Sequence, residues 1–317
     1  MLYLSTSAQD IHTAVELLQS GQQVALPTET VYGLAADASN PQAVRGIFEA
    51  KGRPADHPLI VHLATAEWMS LWASHVPEIA WRLAEVFWPG PLTLVLPVAS
   101  TVTPLVTGGQ PTVALRVPAH PVMQAVLKQL GKGLAAPSAN PFGQISPTTA
   151  AHVRRHLQGR IAAVVDGGPC GVGIESTILD LSGERPTILR PGAITADMLK
   201  PYLQVVDKPA VDAPRVPGSL ASHYAPRTPC FRIAPDFDHQ PMPGQQIGVL
   251  AMSPPSWPIA HFWQMPAEPE AYAQALYAML HEADSAGCDA LFIVLPPQTP
   301  AWLAVLDRVN RATREFS

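Results

Sequence analysis

Basic and hydroxyl side chains recur in this chain where apolar runs end. Lys51-Gly52-Arg53-Pro54 closes a helix-like stretch, Arg116 lies near the end of the run TVALRV, and Arg190 stands just before Pro191-Gly192. Thr28, Thr30, Ser138, Asn140, Ser146, Ser176 and Thr177 fall on comparable loop ends, and His62 follows the run Leu59-Ile60-Val61. Arginine suits two-pronged contacts with carboxylate or phosphate, and lysine supplies a compact point charge. Loops at strand ends are where α/β proteins keep their sites. Cations and hydroxyls on successive loops therefore point to an anionic ligand. Each also has a plain structural reading: Lys51 and Arg53 as helix C-terminal cations, Ser146 as an N-cap, His62 as a core histidine, Arg190 as a surface arginine and Glu29 as a turn residue. No Walker A sequence, no strand-linked Gly-x-Gly-x-x-Gly, no His-Glu-x-x-His and no Gly-x-Ser-x-Gly occurs. Residue types and spacing alone lead to an anion-binding α/β enzyme.

The elements that must position these groups alternate apolar runs with helical patterns over the first two hundred residues, the rhythm of an α/β domain. Ala8 to Gln19 reads as a helix with Ile11, Ala14, Val15 and Leu18 on one face, followed by a strand through Val24-Ala25-Leu26. Asn40 and Pro41 predict the N-cap and first turn of a helix ending at Lys51-Gly52. Strands are expected at 59–63, 92–96, 112–117, 134–136, 161–165, 176–181 and 187–190. Alternation along TVALRV places Arg116 on one face with Thr112. Ser146-Pro147 predicts a helix start, with Ser146 as N-cap and the helix running from Ala150 to Leu157.

Length, 317 residues, suits two domains or one large one. Hydrophobic content of 47% with 14% charged residues describes a folded, rather apolar chain. No apolar run approaches the roughly 20 residues that cross a bilayer, and the first ten residues lack the pattern of a signal peptide. Three widely spaced cysteines offer neither a disulfide framework nor paired zinc-ligand spacing, so a cytoplasmic protein is expected. The net charge of −5 argues against strong nucleic-acid binding. Beyond residue 206 the composition shifts to a proline-thick stretch, in a chain whose 35 prolines are roughly twice the usual ~5%. That stretch reads as a semi-rigid tether. Strand and helix patterns then return. The domains expected are 1–206, a tether over 207–245, and a small doubly wound module over 246–317.

The stretches PTETVYGL, KGRP-x4-PLIVH, WPGPLTLVL, ALRVP, APSAN-x5-SPT, GIESTILD, ILRPG and SHYAP occur in this order. Together they resemble the Sua5/YrdC/YciO family, specifically its two-domain Sua5 type, strongly over about residues 8–227 and more weakly beyond. The resemblance implies a YrdC-like twisted mixed-sheet domain, a proline-rich linker crossing the active site and a small Rossmann-like C-terminal domain. It implies synthesis of threonylcarbamoyl-AMP from L-threonine, bicarbonate and ATP with release of pyrophosphate, for t6A formation at position 37 of tRNAs reading ANN codons. Carried over by motif, Thr30, His62, Arg116, Ala136 and Ser176 fall on the threonine side. Arg53, His57, Thr112, Ser138, Ser146, Arg190 and Tyr224 fall on the nucleotide side. Lys51 and Arg53 are the catalytic cations, and Mg²⁺ arrives with ATP without dedicated protein ligands. His57 stands where the family commonly has Asn.

The implied partners are the downstream t6A transferase machinery and, weakly, tRNA. Two other readings remain at this point. One is a double-stranded-RNA-binding module without synthase activity; the other is a carbamoyl-transfer enzyme of the hydrogenase-maturation type. Within the linker, His223-Tyr224 reads as the latch of a lid, and Glu29 has no assigned role.

Overall fold

Short strands of small and β-branched residues, buried on both faces, need cover from both sides. In the computed structural model, which describes residues 1–205, 213–218, 223–238, 241–242 and 244–316, such strands make the centre of a ten-stranded sheet, whose edge strands are partly exposed. They are β1 Leu2–Leu4, β2 Val24–Leu26, β3 Gly33–Asp37, β4 Ile60–His62, β5 Leu92–Pro97, β6 Thr112–Arg116, β7 Leu134–Ala135, β8 Ala163–Val165, β9 Thr177–Asp180 and β10 Thr187–Arg190. Their spatial order is β1-β8-β2-β3-β7-β4-β6-β5-β9-β10. The sheet is mixed: β4 runs parallel to β6 and β5 to β9, whereas β5 and β6, and β3 and β7, are antiparallel.

The two-residue period divides the central strands between two jobs. Val61, Val113 and Leu115 face the main core with Leu94 and Leu179. Their neighbours Ile60, Ala114, Val95 and Ile178 face the other way and pack with Val216 of the linker. His62 and Arg116 lie on that second face, paired across β4 and β6.

Helix ends follow their local chemistry. Asn40 accepts from the N–H groups of Gln42 and Ala43, with Pro41 in the first turn, and Gly52 closes the same helix in the left-handed region (φ 61°). That closure delivers Lys51 buried and Arg53 onto the next loop. Ser146, expected as an N-cap, is not one. Thr149 caps Ala150–Leu157 by accepting from the His152 N–H, because Ser146 is fully buried and donates to Glu175 instead. Strand β3 was also not expected. Its sequence GLAAD carries almost none of the β-branched or aromatic signal of a strand.

The second sheet comprises β11 Cys230–Ile233, β12 Ile247–Ala251, β13 His261–Gln264, β14 Ala290–Val294 and β15 Arg314–Glu315, in the order β13-β12-β14-β11-β15. All its pairings are parallel. β11 falls in the stretch read as tether, where prolines on either side mask a four-residue strand. Helices Pro269–Ala283 and Leu303–Ala312 cover this sheet and also meet the first domain. Tyr277, Leu276 and Val309 share a core with Val31, Ile145, Ile174 and Tyr224. The two domains are thus joined by a common apolar cluster. Among the described residues no helix is long and apolar enough to cross a membrane.

A histidine cluster lies on the same seam. The His152 ring, on helix Ala150–Leu157, stacks on His281 of helix Pro269–Ala283 with centroids 3.9 Å apart, and His156 lies 5.3 Å from His281. Burial, reinforced by His152 and Arg155, pushes His281 down to about 3. Burial, with Arg155 and His156, pushes His152 down to about 4. Both are neutral when folded but bind protons near pH 6.5 when unfolded. Their stabilising contribution is complete above pH 6.5 and is lost as pH falls from there towards 4 and 3. Glu175, held at about 2, acts in the same direction at lower pH. The urea midpoint should therefore fall markedly between pH 7.5 and pH 5, and less so in His152→Gln/His281→Gln. Equal midpoints at the two pH values would contradict this.

Candidate functional site

Strands β4, β6 and β7, the loop after β2, and the loops before β9 and after β10 meet around one cavity. Its floor begins with the Pro27–Tyr32 loop. The Thr28 hydroxyl donates to the Val31 carbonyl (2.6 Å) and accepts from the Thr30 and Val31 N–H groups. Its single proton is spent there, so at the 2.8 Å contact between the two threonines Thr30 must be the donor. The Thr30 oxygen in turn accepts from Arg116 Nη1 at 2.9 Å.

Arg116 is held from three directions. Nε donates to the Gly90 carbonyl (3.1 Å), Nη1 to Thr30, and Nη2 to Glu29 Oε1 (2.6 Å). Glu29 Oε2 accepts from the Ala119 N–H, which fixes the carboxylate. Glu29 is therefore the side chain that aims Arg116. Three of the five N–H groups of Arg116 are used, which leaves one on each terminal nitrogen, the pattern for a two-pronged carboxylate contact. His62 lies alongside. Burial and the Arg116 charge push it down to about 3, so it is neutral, and its Nδ1 has no protein partner.

The other cations are held mainly by main-chain carbonyls. Lys51 Nζ donates to the carbonyls of Ser138 (2.5 Å) and Asn140 (2.6 Å). Burial and the charge of Arg53 lower its pKa. Arg53 Nη2 donates to the Pro58 carbonyl (2.8 Å), its Nε is unpartnered, and burial lowers it to about 10. Arg190 donates to the Ser176 carbonyl and hydroxyl, and through Nη1 to the Pro217 carbonyl of the linker (2.9 Å). A carbonyl holds a cation without cancelling its charge, so the wall stays positive.

Among the described residues Glu175 is the one carboxylate in the lining. Burial alone would raise its pKa, but Arg308 and Arg190 and the Ser146 hydroxyl hold it at about 2. Ser146 Oγ, Tyr277 OH and Arg308 Nε donate to it at 2.6, 2.9 and 2.8 Å. Tyr277 and Arg308 come from the C-terminal domain.

The linker closes over this wall. Gln110 and the Arg215 backbone exchange two hydrogen bonds, and Val216 packs on the sheet. The His223 N–H reaches the Arg311 carbonyl and the Ala225 N–H the Gly143 carbonyl. Tyr224 between them is buried at φ 63°, a rare conformation for a tyrosine. Its hydroxyl and His223 Nδ1 have no protein partner. Unpartnered buried polar atoms on a cationic wall are the mark of a place meant for a polar ligand. Residues 207–212, 219–222, 239–240 and 243, within the expected linker, lie outside the described residues.

Of the residues singled out from sequence, Lys51, Arg53, Thr30, His62, Arg116, Ala136, Ser138, Ser176, Arg190 and Tyr224 line this cavity together. His57, Thr112 and Ser146 do not. Thr112 opens β6, four residues and about 13 Å of strand from Arg116. His57 sits behind the lining, edge-on to Phe142 at 5.2 Å. Ser146 stands behind Glu175. Glu175 itself was missed, although it precedes Ser176 in the motif GIEST. Arg308 carried no signal, being one more arginine on an amphipathic helix.

The chain is similar to known proteins over nearly its whole length. The Sua5/YciO/YrdC family model, described as telomere recombination, matches residues 16–192. A model described as the threonylcarbamoyl-AMP synthase C-terminal domain matches residues 194–313. A threonylcarbamoyl-AMP synthase of Bacillus subtilis is 40% identical, covering 98% of this chain and 94% of its own length. That of Pyrococcus abyssi is 37% identical, covering 96% and 94%. The crystal structure of P. abyssi Sua5 complexed with L-threonine superposes with a TM-score of 0.88 at 34% identity, over 99% of this chain and 98% of that one. With both domain models matched in order and relatives aligned over nearly the full chain, this protein belongs to the Sua5/YciO/YrdC family, and to its two-domain Sua5 type.

Proposed function

We propose that this chain condenses L-threonine, bicarbonate and ATP into threonylcarbamoyl-AMP with release of pyrophosphate. The adenylate would pass to a transferase that forms t6A at position 37 of ANN-reading tRNAs, in the cytoplasm. The observation that carries the reading is one cavity lined, among the described residues, by four buried cations and a single carboxylate, whose charge Arg308 and Arg190 offset. Such a wall suits a carboxylate at one end and phosphates at the other.

In this reading the threonine carboxylate meets the two free N–H groups of Arg116, with Thr30, His62, Ala136 and Ser176 around the rest of the amino acid. The neutral amine attacks the carbon of CO2, opening one C=O bond, or that of bicarbonate, expelling hydroxide that leaves as water, and the nitrogen gives up a proton to leave a carbamate. A carbamate oxygen then attacks the α-phosphorus, and the bond to pyrophosphate breaks. Carbamates decompose in water, so the lid formed by Val216, Pro217 and Tyr224 serves to keep water out. Lys51, Arg53 and Arg190 face the phosphates, and the chemistry asks mainly for positioning and charge stabilisation. Ser138 and Tyr224 lie towards the nucleotide. Magnesium would enter with ATP, on the phosphates of the MgATP substrate.

Pyrophosphate release should require both threonine and bicarbonate; release that ignores either would remove the reading. Glu29→Gln should raise the KM for threonine by about 10- to 100-fold, the scale of one charge-assisted hydrogen bond of about 1.5–3 kcal/mol, and leave the KM for ATP nearly unchanged. A change confined to ATP would contradict the assignment of Arg116. Gly218 sits at φ 79° against the Tyr224 hydroxyl, where an added Cβ would collide. Gly218→Ala should therefore lift the lid and raise the KM for ATP by about tenfold, in keeping with the ~1–2 kcal/mol of a left-handed alanine. An unaltered KM would show that the linker does not cover the nucleotide.

A further inference from the structure

Arg308 has 0% of its side chain exposed, although it belongs to a helix of the C-terminal domain. Four of its hydrogen bonds reach into or beside the cavity wall of the other domain or its own helix. Nε donates to Glu175 Oε2 (2.8 Å), Nη2 to the Glu175 carbonyl (3.3 Å), and Nη1 to the Pro191 carbonyl (3.0 Å) and Asp307 (2.6 Å). Its guanidinium also lies over the Tyr224 ring, 5.5 Å from the centroid. Glu175 precedes Ser176, whose carbonyl anchors Arg190, and Pro191 follows Arg190. Tyr224 belongs to the linker. One side chain thus touches the segments on both sides of Arg190 and the lid.

We propose that Arg308 is a positioning residue of the nucleotide site, which neutralises and orients Glu175 and backs Tyr224, so that the C-terminal domain completes a cavity built mostly by the first domain. The inference rests on the synthase reading above. Buried ion pairs are near break-even for stability against apolar replacements, so domain adhesion alone gives no reason for a charged pair here. The electrostatics do. Glu175 is the one anion in a wall otherwise fit for phosphates. Without Arg308 its charge would fall to Arg190 alone, which could then no longer offer its own charge in full to the nucleotide, and the low-dielectric wall would be less positive. Tyr277, which donates to the same oxygen, orients the carboxylate but cannot cancel its charge.

The test measures binding of a non-hydrolysable ATP analogue with Mg²⁺, binding of threonine, and pyrophosphate release, in the full chain. Arg308→Met should weaken the analogue at least tenfold and raise the KM for ATP, with threonine affinity changed much less. Arg308→Lys, which keeps the charge, should recover most of the loss. Arg308→Met/Glu175→Gln, which removes both charges, should bind the analogue more tightly than Arg308→Met alone. If Arg308→Met does not fold, the Arg308→Lys and double variants carry the comparison against the wild type. Wild-type nucleotide affinity in folded Arg308→Met would overturn the proposal. So would equal loss of nucleotide and threonine without rescue by the second substitution, the signature of a purely structural role. A wild-type protein that releases no pyrophosphate with threonine and bicarbonate would instead remove the synthase reading.

Discussion

Four cations removed from water must be satisfied, three of them without a carboxylate bound to them, and the site is arranged around that constraint. A buried charge is tolerable only when hydrogen-bonded, and here the acceptors are chiefly carbonyls: Ser138 and Asn140 for Lys51, Pro58 for Arg53, Ser176 and Pro217 for Arg190. Carbonyl dipoles hold each cation in place and leave its full charge for a ligand. Arg116 alone among the four is hydrogen-bonded to a carboxylate, Glu29, and it is the cation bonded to Thr30 and paired across the strands with His62.

The same constraint explains the covering parts. A positive wall open to water would be screened and its fields weakened. The linker lies across it, anchored on Gln110, the Gly143 carbonyl and the Arg311 carbonyl, and ties into Arg190 through Pro217. The C-terminal domain then seals the rear with Tyr277 and Arg308 against Glu175. The two domains share one apolar cluster at this place, so the seal is part of the fold and not a surface contact. An enclosed volume of this kind suits a short-lived carbamate, which must meet the α-phosphorus before water.

Much of this was legible before any coordinate. The Asn40-Pro41 start and Gly52 stop of the helix that delivers Lys51 follow from local chemistry alone. The alternation in TVALRV puts Arg116 on the face opposite Val113 and Leu115. Other features were hidden for stated reasons. Strand β3 is made of glycine and alanines, and it forms because its neighbours β2 and β7 pair with it. β11 is concealed by surrounding prolines. Ser146 has the sequence context of an N-cap, yet a buried carboxylate captures its hydroxyl. Thr112 shares a face with Arg116, but a strand's rise carries it away from the cavity.

The sequence by itself determined the family motifs, the alternation that sorts core from cavity side, and the cationic and hydroxyl inventory, because these depend on residue type and short-range period. Only the tertiary structure decided which of them meet. Glu29 gained its place by reaching Arg116 across 87 residues, and Glu175 by meeting Arg308 across 133. No local rule links positions so far apart. Whether a buried carboxylate helps or opposes an anionic ligand depends on its neutralising partner, and that partner is chosen by how two domains pack.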